Sequence, residues 1–182
     1  MKRIGTMLLA AAVMVMDAIA QLNQRKENQQ DRIAQGMKSG QLTAGETGKL
    51  ETREAAINQQ VHTDRTLNGG QLTSAERKQV NQQQDQMSGQ IYTDKHNAVQ
   101  QPTPKSEVGA RRENQQDRIA NGVASGKLSA GQTARLEKGE TAINKEVHND
   151  RAANGGTLTA AEKKQVNQQQ NQISGKIYRA KH

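Results

Sequence analysis

The chain has no cysteine, no tryptophan and no phenylalanine, and only two tyrosines and two prolines among 182 residues. Without cysteine there are no disulfides, no thiolate metal ligands and no thiol nucleophile. No cysteine follows the N-terminal apolar segment either, which excludes a lipid-modified N-terminus. With aromatics at 1% of the chain, a core must be built from aliphatic side chains alone. Two tyrosines, Tyr92 and Tyr178, are too few stacking platforms for a nucleic-acid groove. No serine sits in a Gly-x-Ser-x-Gly elbow and no glycine-rich phosphate loop follows a strand, so nothing points to an enzyme.

The longest apolar run, IGTMLLAAAVMVM, is too short to span a bilayer comfortably. It follows a basic start, MKR, and precedes Ala18-Ile19-Ala20, whose small residues suit a signal peptidase. Residues 1–20 read as a signal peptide cleaved before Gln21, and the mature chain as exported, periplasmic or secreted, with no transmembrane segment. The net charge is +8. Losing Lys2, Arg3 and Asp17 leaves +7. A basic exported chain attracts anionic envelope components. Its charges also alternate in sign along helical faces, as in DRIA and LETRE, the pattern of solvated helices.

What is present is repetition. Arg25–His96 and Arg111–His182 are identical at about two-thirds of positions. Between them lies NAVQQPTPKSEVGA, residues 97–110, which holds both prolines and reads as a linker. The organisation is thus module 1 over residues 21–96, the linker, and module 2 over residues 111–182.

A shorter signal recurs inside each copy: SGQLTAGE, GGQLTSAE, SGKLSAGQ and GGTLTAAE. Thr43, Thr73, Ser129 and Thr159 are each followed three residues later by Glu or Gln, the capping box that starts a helix. The glycines before them suit a left-handed helix end. Each copy therefore reads as three helices, in copy one about Leu22–Lys38, Ala44–Leu67 and Ser74–Tyr92. Leu50, Ile57 and Val61 form one stripe, and Val80, Met87 and Ile91 another, with Gln and charge on the other faces. The fold class is all-α. A module this small rarely supplies more than ~3–5 kcal/mol alone, so the copies are expected to pack together or the chain to self-associate.

Helix, Gly-x-Leu-Thr/Ser-x-x-Glu/Gln loop, helix resembles an EF-hand. With Gly70 as loop position six, Leu72 and Glu76 fall where that family has its apolar residue and its bidentate carboxylate. Arg65, Leu67 and Gly69 then occupy ligand positions one, three and five, and none ligates calcium. A register shifted by one restores Asp64 and Asn68, repeated by Asp150 and Asn154, in a 13-residue loop where Glu76 and Glu162 stand one place late. The resemblance implies turn geometry and, at most, weak calcium binding through Asp64, Asn68, Glu76, Asp150, Asn154 and Glu162; no other cofactor is expected. The whole unit also resembles small exported bacterial repeat proteins built on RIAxGxxSGxLTxxE, which implies export and no particular activity. His62, His96, His148 and His182, two per copy at matching positions, are the residues for a transition-metal alternative. The balance of these readings is a non-catalytic exported helical repeat, a binding or structural module.

Mass spectrometry of the protein recovered from a secreting host is expected to find Gln21 at the N-terminus. An intact Met1 in the membrane fraction would exclude the leader.

Overall fold

The computed structural model describes the backbone of residues 4–102 and 104–182, and the side chains from Ala20 onward except Thr103. Six helices follow in order: α1 Ile4–Lys38, α2 Ala44–Leu67, α3 Ser74–His96, α4 Glu107–Ala124, α5 Ala130–Ala153 and α6 Ala160–Lys181. The described residues contain no strand. Among them no helix is long and apolar enough to cross a membrane. The expected leader, residues 1–20, falls outside the described side chains except for Ala20.

All four expected capping boxes form. The hydroxyls of Thr43, Thr73, Ser129 and Thr159 accept from the backbone N–H three residues on, and Glu46, Glu76, Gln132 and Glu162 reach back to the cap N–H. Asn-Gly-Gly is the matching stop. Gly69 and Gly70 lie at φ 65° and 94°, and Gly155 and Gly156 at 63° and 94°, in the region that disfavours any residue with a Cβ. Three helix ends differ from the sequence expectation. α1 begins far before Leu22, because MLLAAAVMVM consists of helix formers with no breaker before the helix proper. α3 continues to His96, where Asn97 turns the chain. α4 starts at Glu107, inside the expected linker, because Ser106 caps Gly109 N–H.

Each module is a three-helix unit, and the two are fused. α2 packs most extensively on α5, α1 on α4, while α3 and α6 lie outside against their own modules. Gly45 stands by Thr141, Gly48 by Glu137 and Gly131 by Ala55, so α2 and α5 run antiparallel. A Cβ on Gly48 would stand 3.3 Å from that of Glu137, so its absence permits the close crossing. One apolar cluster runs through both modules, from Ile33, Leu50, Met87 and Ile91 to Ile119, Leu136, Ile173 and Ile177. Sharing one core answers the shortage of apolar side chains in either copy.

Glutamine also enters the interior, although the sequence pattern places it on outer faces. Gln29 Nε2 donates to Gln84 O at 2.7 Å and Ser88 Oγ at 2.8 Å, and Gln84 Nε2 donates to Leu22 O at 3.2 Å. Gln115 and Gln170 repeat this in module 2. These amides tie the first helix of each module to the third, using bonds that partly satisfy their own burial.

Thr73→Ala and Thr159→Ala are each expected to cost ~1 kcal/mol by removing a cap acceptor. Urea unfolding of the single and double variants measures this; an unchanged midpoint in the double variant would deny the threonines that role.

Candidate functional site

The Asn-Gly-Gly loops come first, since the sequence singles them out. In loop Asp64–Glu76 the Glu76 carboxylate accepts from Thr73 N at 2.7 Å and, on both oxygens, from Asn68 Nδ2 at 2.9 Å. Thr73's backbone and side-chain bonds, with a smaller contribution from Asn68, hold Glu76 below the usual carboxylate range. Arg65 Nε donates to Gly70 O at 2.9 Å, so a guanidinium closes the loop. Asn154 grips Glu162 in the same way. Desolvation, then the like charges of Glu162 and Glu146, raise the pKa of Asp150. The loops thus bring Asn68 to Glu76 and Asn154 to Glu162 as hydrogen-bonded pairs. A cation would have to displace those donors.

The histidines lie apart within each module. His96 stacks on Tyr92 with centroids 4.2 Å apart, and its Nδ1 lies 2.7 Å from Tyr92 O; His182 packs on Tyr178 at 4.6 Å. Next to His96, Asn97 bonds Glu46 at the start of α2. His62 lies sixteen residues further along that helix, about 24 Å away at helical rise. Among the described residues no three His, Cys, Asp or Glu side chains gather as a metal shell.

Two features were not singled out in the sequence. The first is a buried acidic seam: Glu51 and Glu54 on α2 and Glu137 and Glu140 on α5 are all 0% exposed. Gln116 Nε2 donates to Glu137 at 2.9 Å and Gln30 Nε2 to Glu51 at 3.4 Å, one from each neighbouring helix. Burial pushes Glu51 up to about 8, against the bond from Gln30 and helped by Glu54. Burial likewise pushes Glu140 up to about 7, against Arg112. It raises Glu54 despite Lys26, and Glu137 strongly despite Gln116, with Glu140 and Glu51 adding repulsion.

The second feature is a cleft of about 840 Å³ between α5, the start of α4, the start of α2 and the linker. Lys105, Arg112, Lys145 and Arg151 line it, with His148, Ser106, Thr43 and Asn144, and among the described residues no carboxylate does. Arg112 Nη2 donates to Pro102 O at 2.6 Å and Arg151 Nη2 to Ser106 Oγ at 3.0 Å, which fastens the linker across the opening. Burial lowers the Arg112 pKa; Glu140 and Glu113 oppose that, and the like charge of Arg151 adds to it. Arg112 thus joins the two features, facing the cleft and Glu140 alike. The equivalent surface of module 1, 86 residues earlier, differs in charge. There the cations among the described residues are Lys26 and Arg65, beside Asn58, Val61 and His62, and Lys26 also borders a neighbouring concavity that holds Glu27 and Asp31.

No protein-family model, curated protein or solved structure matches the chain. The chemistry of the site is therefore read from its own residues.

The seam fixes a pH dependence. Folded pKa values above the ordinary Glu value of 4.5 mean that the unfolded chain releases protons first. Stability is then fullest below that value and falls as pH rises, up to about 7 for Glu140 and about 8 for Glu51. Urea unfolding is expected to show lower stability at pH 8 than at pH 5. Glu51→Gln is expected to raise stability at pH 8 and flatten part of the slope. Greater stability at pH 8, untouched by the substitution, would refute protonated burial.

Proposed function

We propose that this chain is a non-catalytic exported binding module, in which two fused helical repeats present one cationic cleft to an anionic component of the envelope or extracellular space. The observation that carries this reading is the cleft's lining of four cations and no carboxylate. Surface cations scattered on helices are normally balanced by neighbouring acids. Grouping them in a concavity, with two guanidiniums close enough to repel, costs energy that a bound anion repays. Export rests on the MKR start, the apolar run and Ala18-Ile19-Ala20.

Weak calcium binding is the second reading, favoured by the repulsion that Glu162 and Glu146 impose on Asp150. Binding through the histidine pairs has no comparable observation behind it.

Two measurements test these readings. The mature chain is expected to bind saturably to at least one of polyphosphate, polyglutamate or phosphatidylglycerol vesicles at 0.15 M salt, a strength that screens weak surface attraction beyond ~8 Å. Failure with all three would end the binding-module reading. Melts in EDTA, calcium, zinc and copper are expected to agree closely, since 1 mM calcium on a ~1 mM site adds only about 0.4 kcal/mol. A large calcium shift abolished by Asp64→Asn with Asp150→Asn would make calcium the function instead.

A further inference from the structure

The two modules are near-copies, so each is a control for the other. Arg112 stands where module 1 has Lys26, Lys145 where it has Gln59, and Arg151 and His148 where it has Arg65 and His62. The side chains behave differently despite this correspondence. Arg65 turns back to close its own loop on Gly70 O, whereas Arg151 turns to the linker at Ser106. Lys105 of the linker adds a further cation, where the matching position before module 1 is Ile19. Among the described residues the matching module 1 concavity is lined by two cations, Lys26 and Arg65, where the module 2 cleft is lined by four. The asymmetry therefore runs one way, toward a denser grouping of positive charge in module 2.

The cleft's chemistry narrows the ligand. Two arginines on different helices each use one Nη in fixing the linker, and guanidiniums have further N–H groups to offer. Planar guanidiniums match the paired oxygens of phosphoryl groups and carboxylates. Four cations within about 840 Å³ call for several negative charges in a small volume. A phosphoryl group brings up to about two charges and three acceptor oxygens, where a carboxylate brings one charge. The hydroxyls of Ser106 and Thr43 and the amide of Asn144 supply neutral polar partners at the rim.

We propose that the module 2 cleft, built on Arg112, Lys145 and Arg151 with Lys105 from the linker, is a binding site for a phosphoryl-bearing polyanion, and that the corresponding surface of module 1 is not. This rests on the binding-module reading and specifies its ligand class.

Isothermal titration of the mature chain with pyrophosphate tests the site for a free phosphoryl ligand, and flotation with phosphatidylglycerol vesicles tests it for a lipid headgroup. At least one is expected to bind, more weakly as salt rises. Arg112→Gln with Arg151→Gln is expected to lose at least about ten-fold in affinity, as the removal of two charge-assisted contacts implies. Lys26→Gln with Arg65→Gln, which removes the same charge from module 1, is expected to change it less than about two-fold. Lys145→Gln is on an exposed side chain that does not hold the fold, and it should weaken binding on its own. Circular dichroism establishes that each variant is folded. Equal losses in the two double variants would mean diffuse attraction to a basic surface and would overturn the proposal. No binding of pyrophosphate or vesicles would also overturn it. Polyglutamate bound and then lost in the Arg112, Arg151 variant would leave the binding module standing and reject only the phosphoryl assignment.

Discussion

The crossing of α2 over α5 is the contact on which both the shape and the charge of this protein depend. It places Glu51, Glu54, Glu137 and Glu140 where water cannot reach them, with Gly48 allowing the backbones close together. Burying four carboxyl groups in one seam is costly when they are ionised, and Glu51 adds to the proton affinity of Glu137 across the crossing. A seam of this kind is stable where the carboxyls hold protons and weaker where they do not. The crossing also sets the distance between the modules, and so the dimensions of the cleft beside it.

The same crossing explains how a chain with so few large apolar residues folds. The main cluster takes Ile33, Leu50, Met87 and Ile91 from one copy and Ile119, Leu136, Ile173 and Ile177 from the other, and a smaller one of Leu22, Ile57, Leu72 and Val80 lies within module 1. Buried glutamines fill positions that a richer sequence would give to aliphatics. Gln29 and Gln115 satisfy their amide donors on the third helix of their module. That arrangement trades some hydrophobic contact for directional bonds. Such bonds fix the rotation of each helix more tightly than aliphatic contact does.

The sequence disclosed the local structure well and the tertiary chemistry poorly, for separable reasons. Capping boxes at Thr43, Thr73, Ser129 and Thr159 are short-range signals, made by atoms three residues apart, and they were legible at once. The glycine of RIAxG was visible but unexplained until Leu42 and Leu128 were seen against it. A Cβ at Gly36 or Gly122 would lie within 2.7 Å of those leucines. The glutamate seam was hidden because LETRE reads as a solvated helix face, and only the position of the other copy shows that this face is covered. The cleft was hidden too: Arg112 and Arg151 are 39 residues apart and acquire a common purpose only once α4, α5 and the linker meet.

Arg112 ties these levels together. It stands at the boundary between the acidic seam and the cationic cleft, half in each electrostatic environment. A protonated Glu140 leaves the guanidinium's charge directed to the cleft, while an ionised Glu140 draws on it from within. Because burial raises Glu140 to about 7, that balance lies near neutrality. Lys26 and Glu54 repeat the relation in module 1, where Glu27 and Asp31 line a concavity beside Lys26. One inherited pairing of a cation with a buried acid thus serves packing in the first copy. In the second, a linker segment adds a lysine and accepts a bond from Arg151, and the pairing borders a cleft lined by four cations.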